Sequence, residues 1–338
     1  MLSDRAAELR DAVLDVAWRQ WRVLGASTAA HAAPRPGGAA ADTPTGTVVD
    51  PEALVLVSLA LLDHERRLAD VIRDWAVGNS DLLSVQRVKN LSSDYAGAGD
   101  ESFGPRLAWF ARVAFAGAKD LRWRSLVAAP GVDTGEAVVP GLRGIGARAA
   151  ETAAAKPRAV RARFASDASL MLRLRKGFGV GVKADLLALL LSRAEQWAAV
   201  RDVADATGYT VAAVRRAADD LAVARLVESR PGQPTTYRVT LAGWAALLDL
   251  SARPPGWGSW HERFAFSAAF VRWTATLEAR PPSAYALGAH GRALLEKHRR
   301  AFEQDGIAVW SAHTPVDDWE RFVADAVHAL AQWMRAAG

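Results

Sequence analysis

The chain has 338 residues, of which 51% are hydrophobic and 23% are charged, and its formal net charge at pH 7 is +5. This composition is typical of a globular protein with a sizeable core, and it excludes collagen-like and disordered classes. The sequence contains no cysteine, which excludes a disulfide scaffold, thiolate metal ligands and a cysteine nucleophile, and favours a cytoplasmic location.

The first 47 residues divide into a helix and a linker. Apolar residues recur at helical spacing through Leu9, Val13 and Val16, which predicts an N-terminal helix over residues 1–25. Residues 26–47, GASTAAHAAPRPGGAAADTPTG, are rich in alanine, glycine, proline and threonine. This low-complexity composition predicts a flexible linker.

Residues 48–140 are expected to form an N-terminal helical domain. Asp50 directly before Pro51 is typical of a helix N-cap followed by proline at the first helical position. The run LVLVSLALL that follows is apolar on most faces, which predicts a buried helix. Three further helices are predicted over 68–75, from a cap at Asn79 or Ser80 through Leu91, and from Pro105 through Phe115.

A basic segment follows over residues 141–181. Between residues 141 and 183 ten lysines and arginines, Arg173 and Arg175 among them, face only two acidic residues. Such an excess is typical of a solvated linker helix, and equally of a stripe that contacts the phosphates of a nucleic acid. The sequence leaves both interpretations open.

Residues 182–250 have a distinctive order of predicted elements: helix, short strand, helix, turn, helix, β-hairpin and a last helix. Gly208 stands at the turn, where a positive φ is required and glycine is favoured. Thr210 can cap the next helix, predicted over 211–223. The predicted hairpin strands are 226–230 and 236–239, and Thr240 is expected to cap the last helix.

This order resembles the winged helix-turn-helix domain of bacterial transcriptional regulators of the MarR and ArsR types. The resemblance is carried by VRDVADATGYTVAAVRRAADDLAVARLVESRPGQPTTYRVT, residues 200–240, in which Ala204, Gly208, Val214 and the pair Leu226–Val227 match the motif. It implies a mainly α fold. A central winged helix-turn-helix domain of three helices plus a β-hairpin would be flanked by N-terminal and C-terminal helical regions.

The helix over 211–223 can be oriented by its periodicity. Apolar residues share one face, with Ala212 and Arg216 opposite them and Arg215 on a flank. The resemblance implies that this exposed face enters the DNA major groove, where arginine pairs bidentately with guanine. The expected DNA contacts are Thr210, Ala212, Ala213, Arg215 and Arg216 on the helix and Arg230, Gln233, Thr235 and Arg238 on the hairpin.

The same helix has a second interpretation. Arg215 with Asp219 and Arg216 with Asp220 are spaced four residues apart, as in the ion pairs of any exposed helix. Residues 182–250 also carry eight basic and eight acidic residues, so that their formal charges cancel. A neutral segment does not by itself favour DNA as the partner.

Residues 251–338 are expected to be a C-terminal helical region. Its tryptophans stand at helical spacing, which is typical of a core, of a dimer interface or of an aromatic effector pocket. The resemblance implies a homodimer to which these helices contribute. The predicted helices are 260–277, 289–302 and one capped by Thr314 that carries Trp319 and Val327.

No catalytic, metal-binding or cofactor-binding motif is convincing. None of the seven histidines has the spacing of a metal motif. The run GIGARA at residues 144–149 matches a loose dinucleotide fingerprint, but no strand is predicted before it. We therefore expect no catalytic residue, no metal and no cofactor, and we expect the chain not to be an enzyme. Its apolar runs are shorter than the roughly 20 residues that cross a bilayer, so no membrane partner is expected.

Two functions remain in view. The first is a sequence-specific transcriptional regulator that binds double-stranded DNA as a homodimer. The alternative is an antitoxin or other protein-interaction subunit. Its N-terminal helical domain would bind a protein partner, and its winged helix would be autoregulatory or a scaffold.

Overall fold

The structure is a computed structural model, and it describes residues 1–26, 46–97, 101–118, 120–127, 160–251, 254–279, 283–303, 306–307 and 319–337. Four predicted features lie outside these ranges: most of the predicted linker, the part of the basic segment over 141–159, the glycine-rich run at 144–149 and the Thr314 cap. The described part of the chain is mainly helical, and none of its helices is long and apolar enough to span a membrane.

Fifteen α-helices occur in the described ranges. The first seven are α1 (Leu2–Val23), α2 (Pro51–Ala60), α3 (Leu68–Asn79), α4 (Val85–Tyr95), α5 (Phe103–Ala118), α6 (Arg124–Val127) and α7 (Leu170–Phe178). The others are α8 (Val182–Ser192), α9 (Val200–Thr207), α10 (Val211–Val223), α11 (Leu241–Leu248), α12 (Trp260–Ala279), α13 (Ala284–Lys297), α14 (Arg300–Glu303) and α15 (Trp319–Ala337). The strands are β1 (Thr47–Val48), β2 (Ala198–Ala199), β3 (Glu228–Arg230), β4 (Thr236–Arg238) and β5 (Gly256–Trp257).

The start of α2 follows its local sequence signals, but the start of α4 does not. The Asp50 carboxylate accepts a hydrogen bond from the Ala53 amide at 3.1 Å, with proline at the first helical position as predicted. The prediction that Asn79 or Ser80 caps the next helix is wrong, because residues 80–82 form a 3₁₀ turn and α4 starts after Ser84. The Ser84 hydroxyl accepts from the Arg87 amide at 3.2 Å, the geometry of an N-cap.

The helical core combines the first and last parts of the described chain. Helices α1 to α6 and α12 to α15 bury one continuous apolar cluster, in which α1 packs along both α15 and α12. Glu8 of α1 reinforces this packing through contacts with His328 at 2.9 Å and Arg335 at 3.0 Å. The sequence divides these segments into separate N-terminal and C-terminal regions. The structure differs, because the apolar stripe of α1 is covered by helices about 300 residues further along the chain.

A second cluster, the central core, is formed by residues 170–257 together with Val48. Its three-stranded antiparallel sheet has the order β2-β4-β3, with Tyr237 of β4 facing Ala198 and Ser229 on the two sides. Strand β1 pairs in parallel with β5 beside it. Helix α7 also belongs to this core, since Leu170 and Leu174 are buried in it. The core therefore starts before the predicted boundary at residue 182.

A buried ion network joins the two cores. The guanidinium of Arg87 on α4 contacts the carboxylates of Asp50 and Glu52, and that of Arg175 on α7 contacts Glu52 and Asp185. All five side chains are buried. Burial by itself raises the pKa of Asp50, but the neighbouring Arg87 charge outweighs it and holds that pKa below its ordinary value. The network therefore keeps its charges paired inside the protein.

The position of Arg175 corrects one interpretation of the basic segment. Its guanidinium donates to Asp185 at 2.7 Å and to the Leu82 carbonyl at 2.9 Å and is closed off from solvent, so it cannot contact phosphate. Its neighbour Arg173 pairs with Asp167 at 3.4 Å. A buried arginine of this kind has the same local sequence pattern as an exposed one, since only its long-range partners distinguish them.

Candidate nucleic-acid interface

Helices α9 and α10 meet at a tight turn whose geometry depends on glycine. Gly208 ends α9 with φ +73°, in the left-handed region that the sequence predicts for it. A Cβ atom there would also lie 2.4 Å from the Leu91 side chain of α4. The Asn90 amide of α4 donates to the Gly208 carbonyl at 2.9 Å. The turn is therefore held directly against the helical core.

Helix α10 has the bounds and the orientation that its periodicity predicts. Val214, Ala217, Ala218 and Leu221 are buried against the central core. Arg215, Arg216 and Ala212 are exposed, whereas Ala213 is half-buried and Val211, expected on the buried face, is 40% exposed. The face that carries both arginines is thus turned to solvent.

The start of α10 is fixed by the predicted cap. The Thr210 hydroxyl accepts a hydrogen bond from the Ala213 amide at 3.2 Å. Thr210 itself is exposed, so that a phosphate could approach the free amides of the first turn beside it. This places Thr210 and Ala212 at the same end of the helix, next to the turn.

The acidic residues of α10 are engaged by partners outside the helix. The Tyr237 hydroxyl on β4 donates to the Asp219 carboxylate at 2.5 Å, and the Lys183 ammonium on α8 lies 2.8 Å from Asp220. Neither Arg215 nor Arg216 forms an ion pair with any residue that the structure describes. The interpretation of these arginines as members of i,i+4 pairs is therefore wrong, and both guanidinium groups project from the surface unpaired within those ranges.

Tyr237 links the hairpin to α10. Its side chain is buried between the sheet and the helix, and burial together with the Asp219 charge raises its pKa to about 12. The phenol consequently stays protonated at neutral pH and keeps donating to Asp219. The predicted hairpin residues and the predicted helix residues are therefore held on one rigid unit.

Two hairpin arginines stack on a tryptophan that the sequence analysis did not single out. The guanidinium carbons of Arg230 and Arg238 lie 4.2 Å and 4.6 Å from the ring centroid of Trp197, the residue before β2. Arg238 also pairs with Glu228 at 2.8 Å, which neutralises part of its charge. Trp197 orders both arginines through cation–π contacts. The signal that could have found it is its place in the short strand that precedes the two helices.

The loop of the hairpin carries the other predicted contacts. Gln233 is exposed and Thr235 is half-buried, its hydroxyl donating to the Gly232 carbonyl at 3.4 Å. Thr240 is the N-cap residue of α11, as predicted, but its side chain makes no capping hydrogen bond, because the Thr240 hydroxyl donates to Glu228 instead. The Leu241 amide at the start of α11 donates to the Glu195 carboxylate at 2.7 Å, so a distant side chain takes the capping role.

Comparison with protein-family models, with curated protein sequences and with solved structures gave no match to this chain. Within the ranges that the structure covers, no three histidine, aspartate or glutamate side chains lie close enough together to hold a metal ion. The surface formed by α10 and the hairpin is the candidate site on which the sequence predictions converge.

Proposed function

We propose that this chain is a sequence-specific regulator of transcription that binds double-stranded DNA. In this proposal the central core is a winged helix-turn-helix domain. Helix α10 lies in the major groove and the hairpin of β3 and β4 lies against the sugar–phosphate backbone. The order of helices and strands around the Gly208 turn supports this arrangement.

The observation that carries the proposal is the state of Arg215 and Arg216. Both are exposed on α10, while the nearby acids Asp219 and Asp220 are held by Tyr237 and Lys183. Unpaired guanidinium groups keep their full capacity to bind guanine edges or phosphates.

The hairpin supplies the second part of the proposed contact. Arg230 and Arg238 are ordered by Trp197 at the side of the sheet, and neither lies on α10. Arginines ordered in this way contact phosphates without reading the base sequence. Arg216 is therefore assigned to base recognition, Arg215 to a base or phosphate contact, and the hairpin arginines to the backbone.

The proposal is tested by selecting duplexes from a random library with the full-length protein and measuring their affinities by fluorescence anisotropy. Arg216→Ala should weaken binding to the selected duplex by about 1–3 kcal/mol, so that the variant's affinity for this duplex comes closer to its affinity for random DNA. The matched control is Arg66→Ala, since Arg66 is also exposed but lies in the turn between α2 and α3, outside α10 and the hairpin. Equal affinities for Arg216→Ala and the wild type would contradict the proposal.

A second candidate function is binding of a protein partner, and one specific observation favours it. Val223 at the end of α10 is 86% exposed and Leu247 on α11 is 72% exposed. A contiguous apolar patch marks an interaction surface, and these two side chains are the candidates for one on α10 and α11. If no duplex is selected even at low salt, where the phosphate contribution is strongest, this second function replaces the first.

A further inference from the structure

A cleft separates the helix-turn-helix segment from the helical core. Its volume is about 590 Å³, and its walls come from α4, from α9 with the Gly208 turn, from α12 and from the end of α13 with α14. This volume is in the range of small-molecule sites. Any ligand in the cleft would touch both cores at once.

Glu262 of α12 lines the cleft and is the unusual group in it. Its side chain is buried, and neither carboxylate oxygen has a hydrogen-bond partner. Burial raises the pKa of this carboxyl above its ordinary value. A buried carboxylate without a partner is costly, so a ligand that supplies a cationic partner would stabilise its charged form.

The other acidic groups of the cleft already have basic partners. Asp94 contacts His261 at 3.1 Å and Asp205 contacts Arg300 at 2.6 Å. The remaining two pairs are Glu303 with Arg299 and Glu296 with Arg292. Glu262 is therefore the acid of this cleft that forms no ion pair with a residue the structure describes, and the charges of His261 and Arg263 act on it only through space.

A second polar group of the cleft is also without a partner. His298 lines the cleft from the end of α13, and its Nε2 atom is buried without a hydrogen bond. Burial lowers the pKa of His298 to about 4, so that the ring is neutral at pH 7 and does not compensate the charge of Glu262. A neutral imidazole nitrogen can accept from, or donate to, a polar group on a ligand.

We propose that this cleft binds a small organic cation, a primary ammonium or an amidinium, with its charged group at Glu262. A metal ion fits less well, because the described residues contain no set of three ligating side chains. An organic cation needs a single buried carboxylate, and its carbon skeleton can pack on Leu91 and Ala265, which lie among the mostly charged residues of the cleft wall. His298 gives the ligand a second polar contact.

The cleft also gives such a ligand a way to act on the DNA-binding surface, a consequence that rests on the proposed function. Asp205, Gly208 and Tyr209 line one wall and belong to α9 and the turn before α10. A ligand held at Glu262 on the opposite wall would favour one position of α9 and α10 over others. The affinity for DNA would change when the cleft fills.

The site is tested by isothermal titration calorimetry of the full-length protein with butylamine, 1,4-diaminobutane, benzylamine and benzamidine. Each of the three amines has the neutral alcohol of the same shape as its control, and benzamidine has benzamide. At least one cation should bind with a Kd below about 10 mM and about tenfold more tightly than its neutral control. No binding by any of the four, or equal binding of the neutral controls, would overturn the proposal.

Glu262→Gln and Glu296→Gln form the matched pair of variants. The first removes the buried charge with little change of shape and should lower the affinity for the cation by about tenfold or more. The second removes an exposed, paired charge on the same cleft and should change the affinity by less than about twofold. A Glu262→Gln protein that unfolds cooperatively and binds the cation as tightly as the wild type would overturn the assignment.

The regulatory consequence needs a separate measurement. The affinity of a selected duplex is measured by anisotropy with and without the cation that calorimetry identifies. If the cation changes the duplex affinity of the wild type but not that of Glu262→Gln, the result supports coupling between the cleft and the DNA-binding surface. A wild-type affinity that the cation leaves unchanged overturns this coupling. Because calorimetry contains no DNA, failure of the cation site is distinguishable from failure of the proposed DNA binding.

Discussion

The Tyr237 hydroxyl of the hairpin donates to the Asp219 carboxylate of α10 at 2.5 Å. This bond ties the sheet to the helix and at the same time occupies the acid that is spaced to pair with Arg215. The availability of that arginine therefore depends on a residue 22 positions further along the chain.

Tyr237→Phe should consequently weaken DNA binding, although the Tyr237 side chain is itself buried. Without the hydroxyl, Asp219 is free to pair with Arg215, and we expect the affinity to fall by about 2- to 10-fold. Fluorescence anisotropy with a selected duplex measures this loss. Adding Asp219→Asn to the same chain removes the competing charge and should restore the affinity. A double variant as weak as Tyr237→Phe alone would show that the bond matters only for stability.

The Trp197 ring should support the hairpin contacts without affecting sequence preference. Trp197→Ala removes the surface on which Arg230 and Arg238 stack. The affinity for selected and for random duplexes should then fall by the same factor, about 3- to 30-fold. Trp197→Phe keeps an aromatic ring and should retain most of the binding. A loss confined to the selected duplex would instead place the hairpin arginines on the bases.

Arg230→Ala should change the salt dependence of DNA binding. If this arginine contacts one phosphate, the slope of log affinity against log salt should become shallower by about 0.9. Arg216→Ala should alter the preference for the selected duplex more than it alters this slope. Identical slopes for Arg230→Ala and the wild type would show that Arg230 of the hairpin contacts no phosphate.

Local signals were sufficient wherever a helix end or a helix face depends on neighbouring residues. The bounds of α10, the Thr210 cap and the positive φ of Gly208 all follow from their own sequence windows. The packing of α1 against α15 could not be predicted in this way, because an apolar stripe does not specify which other stripe covers it. The homodimer stays a prediction, which light scattering tests against the monomer mass of 36.2 kDa.

Buried charge was the second limit of the sequence analysis. Arg87, Arg175 and Asp185 belong to charged residue types that are usually exposed. Their burial depends on partners that lie about 10 to 125 residues away in the sequence. The Asp50 signal was interpreted only as a helix cap, whereas the same carboxylate also binds Arg87. The unpaired arginines of α10 were hidden for the same reason, since Tyr237 and Lys183 are remote in sequence from Asp219 and Asp220.

The buried ion network should be necessary for joining the two cores. Arg175→Met leaves Glu52 and Asp185 with less compensation in a solvent-free position, and we expect it to lower the free energy of unfolding by about 3–5 kcal/mol. Urea denaturation measures this change. The neighbouring Lys176→Met removes a 63% exposed ammonium, and its effect should stay within about 0.5 kcal/mol. Equal effects of the two substitutions would contradict the role of the network.

The pKa of Glu262 predicts a pH-dependent stability. Burial raises this pKa, the Asp50 charge adds to the increase, and His261 and Arg263 oppose it. A carboxyl with a raised pKa in the folded state contributes its stability below its unfolded pKa and loses it as the pH rises through the folded value. Glu262→Gln should therefore raise the melting temperature at pH 8 and change it little at pH 4. The same shift at both pH values would contradict the assignment.

In the proposed function, Arg216 reads a guanine in the major groove. A double-mutant cycle tests it by combining Arg216→Ala with selected duplexes in which each guanine in turn is replaced by 7-deazaguanine, which lacks the N7 acceptor. At one position the wild type should lose about 1–3 kcal/mol of binding free energy, and the Arg216→Ala protein should lose almost nothing further. Losses that add independently at every guanine would contradict the account.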